Sequence, residues 1–219
     1  MEVKNACDKL SIALSAGLES KDSYDEHFNA AVLVPLIWEN DQLNLLFEVR
    51  SQHLSWQPGE ICFPGGGIEA VDSSFLSAAV RETVEELGLR AEQIQVLGSL
   101  HEVVSSIGVR LHPFVGYVTD AHLINPNRDE VASVFTVPLE FLLEAQPIIG
   151  HMERSTRPLA DFPFELVPSY SDKWKKRKNY QVLFYKYNQH VIWGLTAQVL
   201  YNFLKICKEN LASTKPQRS

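Results

Sequence analysis

Three glutamates, Glu82, Glu85 and Glu86, stand at i, i+3 and i+4. On a helix that spacing places their carboxylates on one face. Like charges this close repel, so the face costs stability unless cations offset it. Hard divalent cations take oxygen ligands, and Mg²⁺ in particular is shared between a few carboxylates, water and substrate phosphates. Just upstream, Pro64-Gly65-Gly66-Gly67 supplies a turn whose lack of side chains lets backbone approach a ligand closely. The combination suits holding a metal ion against a diphosphate. Each part also has a plainer reading. Acidic residues along a helix are commonly a solvated face, Arg81 and Glu85 make an ordinary i,i+4 pair, and a glycine run is commonly only a turn. Register separates the two readings, because glycines, spacer, Arg-Glu, Glu-Glu and Gly fall together between Phe63 and Leu89.

The elements that must position these residues follow from periodicity. Ser73 to Gly88 reads as a helix with Phe75, Leu76, Ala79, Val80, Thr83 and Leu87 inward and Gly88 ending it. Asn29 to Trp38 and Leu43 to Arg50 are predicted strands, joined at a Glu39-Asn40-Asp41 turn. A polar loop, Ser51 to Gly59, leads to a short strand Ile61-Cys62-Phe63 that the glycine run breaks. More strands are predicted at Ile94 to Leu100, Leu111 to Val118 and Val131 to Val137, followed by a short helix from Pro138 to Glu144. A late hairpin joins Tyr180–Tyr187 to His190–Trp193, and Thr196 to Asn210 makes a closing helix with Val199, Leu200, Phe203, Leu204 and Cys207 inward. Strands mixed with a few separated helices argue for an α+β or mixed α/β sandwich. The 219 residues are expected to form one domain over 29–210, with a helical N-terminal extension over 1–28 and a tail over 211–219.

Composition narrows the partners. The hydrophobic fraction is 45% and the formal net charge is −7, so nothing global favours a nucleic acid. A small anionic substrate stays open, because a local cation overrides the overall sign. Cys7, Cys62 and Cys207 show neither a CxxC pair nor zinc spacing, which argues against a disulfide framework and for a reducing compartment. No stretch reaches the apolar length of a membrane span and no basic-then-apolar leader is visible. A cytoplasmic protein without a membrane partner is expected.

The segment from Phe63 to Leu89 resembles the Nudix box, in which Gly, five residues, Glu and seven residues precede Arg-Glu, an apolar residue, any residue, Glu-Glu, any residue, Gly and an apolar residue. Arg81-Glu82-Thr83-Val84-Glu85-Glu86-Leu87-Gly88-Leu89 matches the second half, with Thr83 in the apolar slot. The first half departs from the pattern. Five residues after Gly66 stands Asp72 rather than Glu, and eight residues rather than seven separate Asp72 from Arg81. That stretched box is similar to the coenzyme A diphosphatase branch of the superfamily. The upstream run Leu46 to Gly66 resembles the same branch's second signature, with Glu48 where Thr is usual and Gln57 where His is usual. Weaker echoes lie at Leu111-His112-Pro113-Phe114 and Ile192 to Ala197, so the resemblance spans about Asn29 to Ile206.

The resemblance implies a Nudix-type α/β/α sandwich around a mixed sheet. It also implies Mg²⁺- or Mn²⁺-dependent hydrolysis of coenzyme A and its derivatives to 3′,5′-ADP and 4′-phosphopantetheine. The first alternative is a Nudix pyrophosphatase acting instead on ADP-ribose, NADH or a diadenosine polyphosphate; a non-catalytic nucleotide sensor is the alternative of a different class. Carried over, Glu82, Glu85 and Glu86 are metal ligands and one of them is the base. Gly65 and Gly66 are substrate-binding, with the carbonyl of Gly65 an extra metal ligand, and Arg81 orients the glutamates by charge-assisted hydrogen bonds. Arg50 is the candidate for gripping the diphosphate, or a surface arginine at a strand end. Asp72 either organises the loop or caps the helix. Glu130 is an additional carboxylate or a solvated turn residue. His53, His101 and His112 share no ligand spacing and are assigned no chemistry. Lys173 to Lys178 is the one basic cluster, either a contact for the 3′-phosphate of coenzyme A with Trp174 on adenine, or a solvated loop. A homodimer is left open.

Overall fold

The computed structural model describes residues 27–106 and 108–211. The predicted N-terminal helix, Cys7 and the tail after residue 211 lie outside these. The largest sheet is organised around strand β1 (Phe28–Glu39), which pairs antiparallel with β2 (Gln42–Arg50) and parallel with β7 (Val109–Val118). Beyond β7 lies β5 (Ile94–Ser99), and β8 (Val131–Pro138) covers the far edge of β2. At the β1–β2 hairpin, Asn40 and Asp41 take left-handed backbone, with φ 55° and 59°. Tight hairpins need that conformation at both central positions, and Asn and Asp tolerate it best among residues with side chains.

β1 is almost wholly apolar because both its faces are covered. Val32, Val34 and Leu36 face one core with Phe47, Leu200 and Phe203, the last two from helix α3 (Gly194–Leu211). Ala31 faces Ala78 and Ala79 of helix α1 (Phe75–Leu87), and Ile37 and Leu46 meet its Leu87. The sheet is therefore the middle layer of an α/β/α sandwich, mixed in strand direction, as expected. A short helix α2 (Leu139–Glu144) and the three-stranded sheet of β9 (Ile148–Met152), β12 (Tyr180–Tyr187) and β13 (His190–Trp193) complete the α3 side, while the two-residue β6 (Val103–Val104) pairs with β7 and β10 (Ser155–Thr156) pairs with β11 (Lys175–Lys176).

One detail of the register creates the site. β1 pairs with β2 only from Leu36↔Leu45 to Glu39↔Gln42. Past that point the two strands part, and the following chain fills the split. Strand β3 (Ile61–Cys62) lies on β2 at Glu48↔Cys62, and β4 (Gly65–Gly67) lies on β1 from Ala30↔Gly67 to Val32↔Gly65. The glycine run, expected to break a strand, is thus itself a strand. Pro35 falls between the β4 and β2 pairings. Its missing N–H would point the same way as that of Leu33, which donates to Pro64 O at 2.9 Å, so no ladder bond is lost there.

Candidate active site

Helix α1 starts and stops for local reasons. Ser74 Oγ accepts from the backbone N–H of Ser77 at 3.1 Å, and Ser77 Oγ accepts from that of Ser74 at 2.9 Å, a reciprocal cap. Gly88 ends the helix in the left-handed conformation, φ 65°. Asp72 is therefore not the cap. Between these ends the helix turns Glu86 inward together with Ala79, Thr83 and Leu87, leaving it 4% exposed, while Glu82 is largely covered and Glu85 stays in solvent. A buried carboxylate costs several kcal/mol in the absence of compensation.

Glu86 is met by backbone. The N–H of Gly65 donates to its Oε2 at 2.7 Å. No other residue type fits at Gly65: φ is +149°, and an added Cβ would lie 2.3 Å from Ala31 O. At Gly66 an added Cβ would lie 2.5 Å from Glu82 Cδ. The glycines thus let the helix carboxylates lie directly on the β4 backbone.

Arg81 organises the outer half. Its Nε and Nη2 donate to the two oxygens of Asp72 at 3.1 and 3.0 Å, and Nη2 also donates to Gly67 O at 3.2 Å. Nη1 donates to Glu82 Oε1 at 2.9 Å and to Glu85 Oε2 at 3.3 Å. The guanidinium holds the Asp72 carboxyl below its usual range, helped by the N–H of Glu69, and Asp72 in turn raises Arg81. Asp72 therefore organises the loop, one of its two expected roles. Burial raises Glu82 against the opposing pull of Arg81.

A residue given no role from sequence stands at the centre. Glu48 of β2 is fully buried and accepts from Cys62 Sγ at 3.3 Å. Its Oε2 has no hydrogen-bond partner among the described residues. Burial first, then the charge of Glu48, pushes the Glu86 carboxyl far above the ordinary range; burial does the same to Glu48. The Cys62 thiol is raised by burial and by Glu48. One signal was available in the sequence: a lone Glu inside the apolar run LNLLFEVR is a residue type almost never fully buried without a partner.

Arg50 and Glu130 come to the same place. The charge of Arg50 lowers both Glu48 and Glu86, and that of Glu130 raises Glu48 and Glu82. Arg50 Nε donates to Trp56 O at 3.3 Å, and Glu130 O accepts from the N–H of Ser51 at 2.7 Å. His112 instead stacks on Phe75 and meets Asn29 Oδ1 at 3.2 Å. The basic run has its own local contacts: Lys176 pairs with Glu153 at 2.7 Å, Lys175 lies over Tyr170, and Arg157 lies over Trp174. A cavity of about 650 Å³ beside it is lined by His151, Arg154, Lys178 and Gln198, and by none of the glutamates.

The donor set fits a hard divalent ion. Glu86 and Glu82 lie on the β4 backbone, Glu85 shares the Arg81 guanidinium with Glu82, and the Glu48 oxygen without a donor is the kind of atom a cation satisfies. Among the described residues no three acidic, His or Cys side chains are already gathered on one point. An ion held here would complete its shell with water and substrate oxygens, as Mg²⁺ usually does.

The NUDIX domain model matches residues 27–157. The chain is 39% identical over 132 residues to the mouse peroxisomal coenzyme A diphosphatase NUDT7, covering 60% of this chain and 55% of that protein. It is 33% identical over 177 residues to NudL of Photorhabdus laumondii, an uncharacterized Nudix hydrolase, covering 81% of this chain and 83% of that one. Among solved structures, a MutT/nudix family protein from Enterococcus faecalis matches with a TM-score of 0.48 and 13% identity, covering 91% of this chain and 69% of that chain.

Proposed function

Because this chain belongs to the Nudix hydrolase family, we propose that it hydrolyses the diphosphate bond of coenzyme A and its derivatives, releasing 3′,5′-ADP and 4′-phosphopantetheine. The observation that carries the reading is the seating of the buried Glu86 carboxylate on the Gly65 N–H, beside Glu82 and within the field of Arg50. The stretched box, its Asp72, and the likeness to the mouse coenzyme A diphosphatase support the substrate.

Glu82, Glu86 and Glu85 would hold Mg²⁺ or Mn²⁺, with the Gly65 carbonyl as an added donor. When bound, such an ion screens the diphosphate charge and polarises water. Arg50 contributes a planar guanidinium matched to phosphate oxygens. Arg81 stays off the substrate and fixes Glu82 and Glu85. One of the three box glutamates takes the proton of the attacking water. The water oxygen bonds to phosphorus as the bridging P–O bond breaks, and the departing phosphate keeps the electron pair. Free Cys62 and Cys207 fit a reducing compartment, and we place the protein in the cytoplasm; no helix among the described residues is long and apolar enough to cross a membrane.

The test is product analysis by chromatography after incubation with coenzyme A and Mg²⁺ or Mn²⁺. The expected products are 3′,5′-ADP and 4′-phosphopantetheine, lost on adding chelator. Turnover of ADP-ribose, NADH or a diadenosine polyphosphate but not coenzyme A would replace the substrate. Tight nucleotide binding without any turnover would make the chain a sensor.

A further inference from the structure

The buried pair Glu48–Glu86 is unlike the rest of the acidic face. Glu85 and Glu82 have Arg81 as a partner, and Glu86 has the Gly65 N–H. Glu48 has only the weak thiol donor of Cys62 on Oε1, and Oε2 has nothing among the described residues. Its neighbour within hydrogen-bonding reach is the Glu86 carboxyl, which can answer it only by keeping a proton and offers acceptors alone once ionised. The nearby cation Arg50 turns its Nε to Trp56 O. The side chain is fully buried, so bulk water does not satisfy it, and an unpartnered buried carboxylate is among the costliest groups a core holds. A Thr at this place, as the related branch usually carries, would impose no such cost. Two buried carboxylates side by side with one oxygen unanswered describe a place built for a positive charge.

We propose that Glu48 is a cation-binding carboxylate of this site, a donor on strand β2 that would hold the divalent ion together with Glu86. The inference rests on reading the helix glutamates as the metal face, and deepens it by adding a ligand from outside the helix. Its consequence is a site with one more formal negative charge than a Thr at this place would give, hence stronger retention of the ion before substrate arrives.

The experiment is binding of Mn²⁺ alone, without nucleotide, to the full chain at one fixed pH. Titration calorimetry and the electron paramagnetic resonance signal of free Mn²⁺ follow the binding. Glu48→Gln and Glu48→Thr are compared with wild type and with Glu86→Gln. Gln keeps the shape, adds a donor and removes the charge, so the variant folds and also mimics a protonated Glu48. Mn²⁺ affinity is expected to fall by about tenfold or more in both Glu48 variants. Affinity within about twofold of wild type in both, with Glu86→Gln weakened, would overturn the role of Glu48 and leave the metal face standing. Affinity unchanged in all three variants would overturn both. Should Glu48→Gln fail to fold, Glu48→Thr decides alone.

Discussion

Arg81 and Asp72 face each other through two parallel hydrogen bonds, at 3.1 and 3.0 Å, across the loop that carries the extra residue of the box. The same guanidinium reaches Gly67 O, Glu82 and Glu85. A lysine ammonium could not span this set, because it lacks the planar fork. Arg81→Lys is expected to lower kcat on the hydrolysed nucleotide by about tenfold or more, with a smaller change in KM. Steady-state kinetics checks it, and unchanged kcat would show that Glu82 keeps its place without the fork.

Gly65 and Gly66 are expected to fail differently. At Gly66 a methyl group would meet the mobile end of Glu82, so Gly66→Ala should fold with near-normal Tm yet weaken Mn²⁺ binding and turnover. At Gly65 the obstacle is the Ala31 backbone and a positive φ, so Gly65→Ala should lower Tm, by an amount on the order of 1–3 kcal/mol in stability. Paired thermal denaturation and Mn²⁺ titration separate the two; equal Tm losses would contradict the assignment.

Glu86→Gln retains the shape and the Gly65 contact through the amide oxygen but removes the charge. Turnover is expected to drop about a hundredfold or more, while the metal-free variant gains stability over wild type. Near-normal turnover would take Glu86 out of the metal site.

The raised carboxyls at Glu48 and Glu86 have a signed consequence for the metal-free chain. Their folded-state values lie above the ordinary 4.5, so at neutral pH the folded state keeps protons that the unfolded state has released. Stability from these groups is full below that value and is lost as pH rises through their folded values. In chelator, the free energy of unfolding is expected to fall between about pH 5 and about pH 8, by at most about 1.4 kcal/mol per pH unit for each proton involved, and Tm to fall with it. Glu48→Gln should flatten the slope; an identical slope in the variant would assign the effect to other groups.

Much of this was legible before the structure. The helix glutamates with Arg81, the two strands ahead of them and the closing hairpin and helix follow from spacing alone, because each is a local pattern. What was hidden depends on partners distant in sequence. Three successive glycines read as a break, since propensity does not register that β1 supplies a ladder and α1 lies too close to admit side chains there. Asp72 read equally as a cap, because the competing Ser74–Ser77 cap is a matter of two residues. Glu48 read only as a departure from a signature, because its neighbours Cys62 and Glu86 reach it only through the folded sheet and helix. Strand β9 escaped notice as a short edge strand with a glycine and a histidine inside it.

The ladder between β1 and β7 joins Phe28 to Val109 and Leu36 to Tyr117 in parallel. Such a pairing must close a long loop before any contact rewards it, and is slow to form. Helix α1 and the β12–β13 hairpin close no such loop. The glycine strand that seats Glu86 is laid on β1, so it waits for that central ladder. In a chain folding from the denatured state, helical circular dichroism should therefore return ahead of the capacity to take up Mn²⁺.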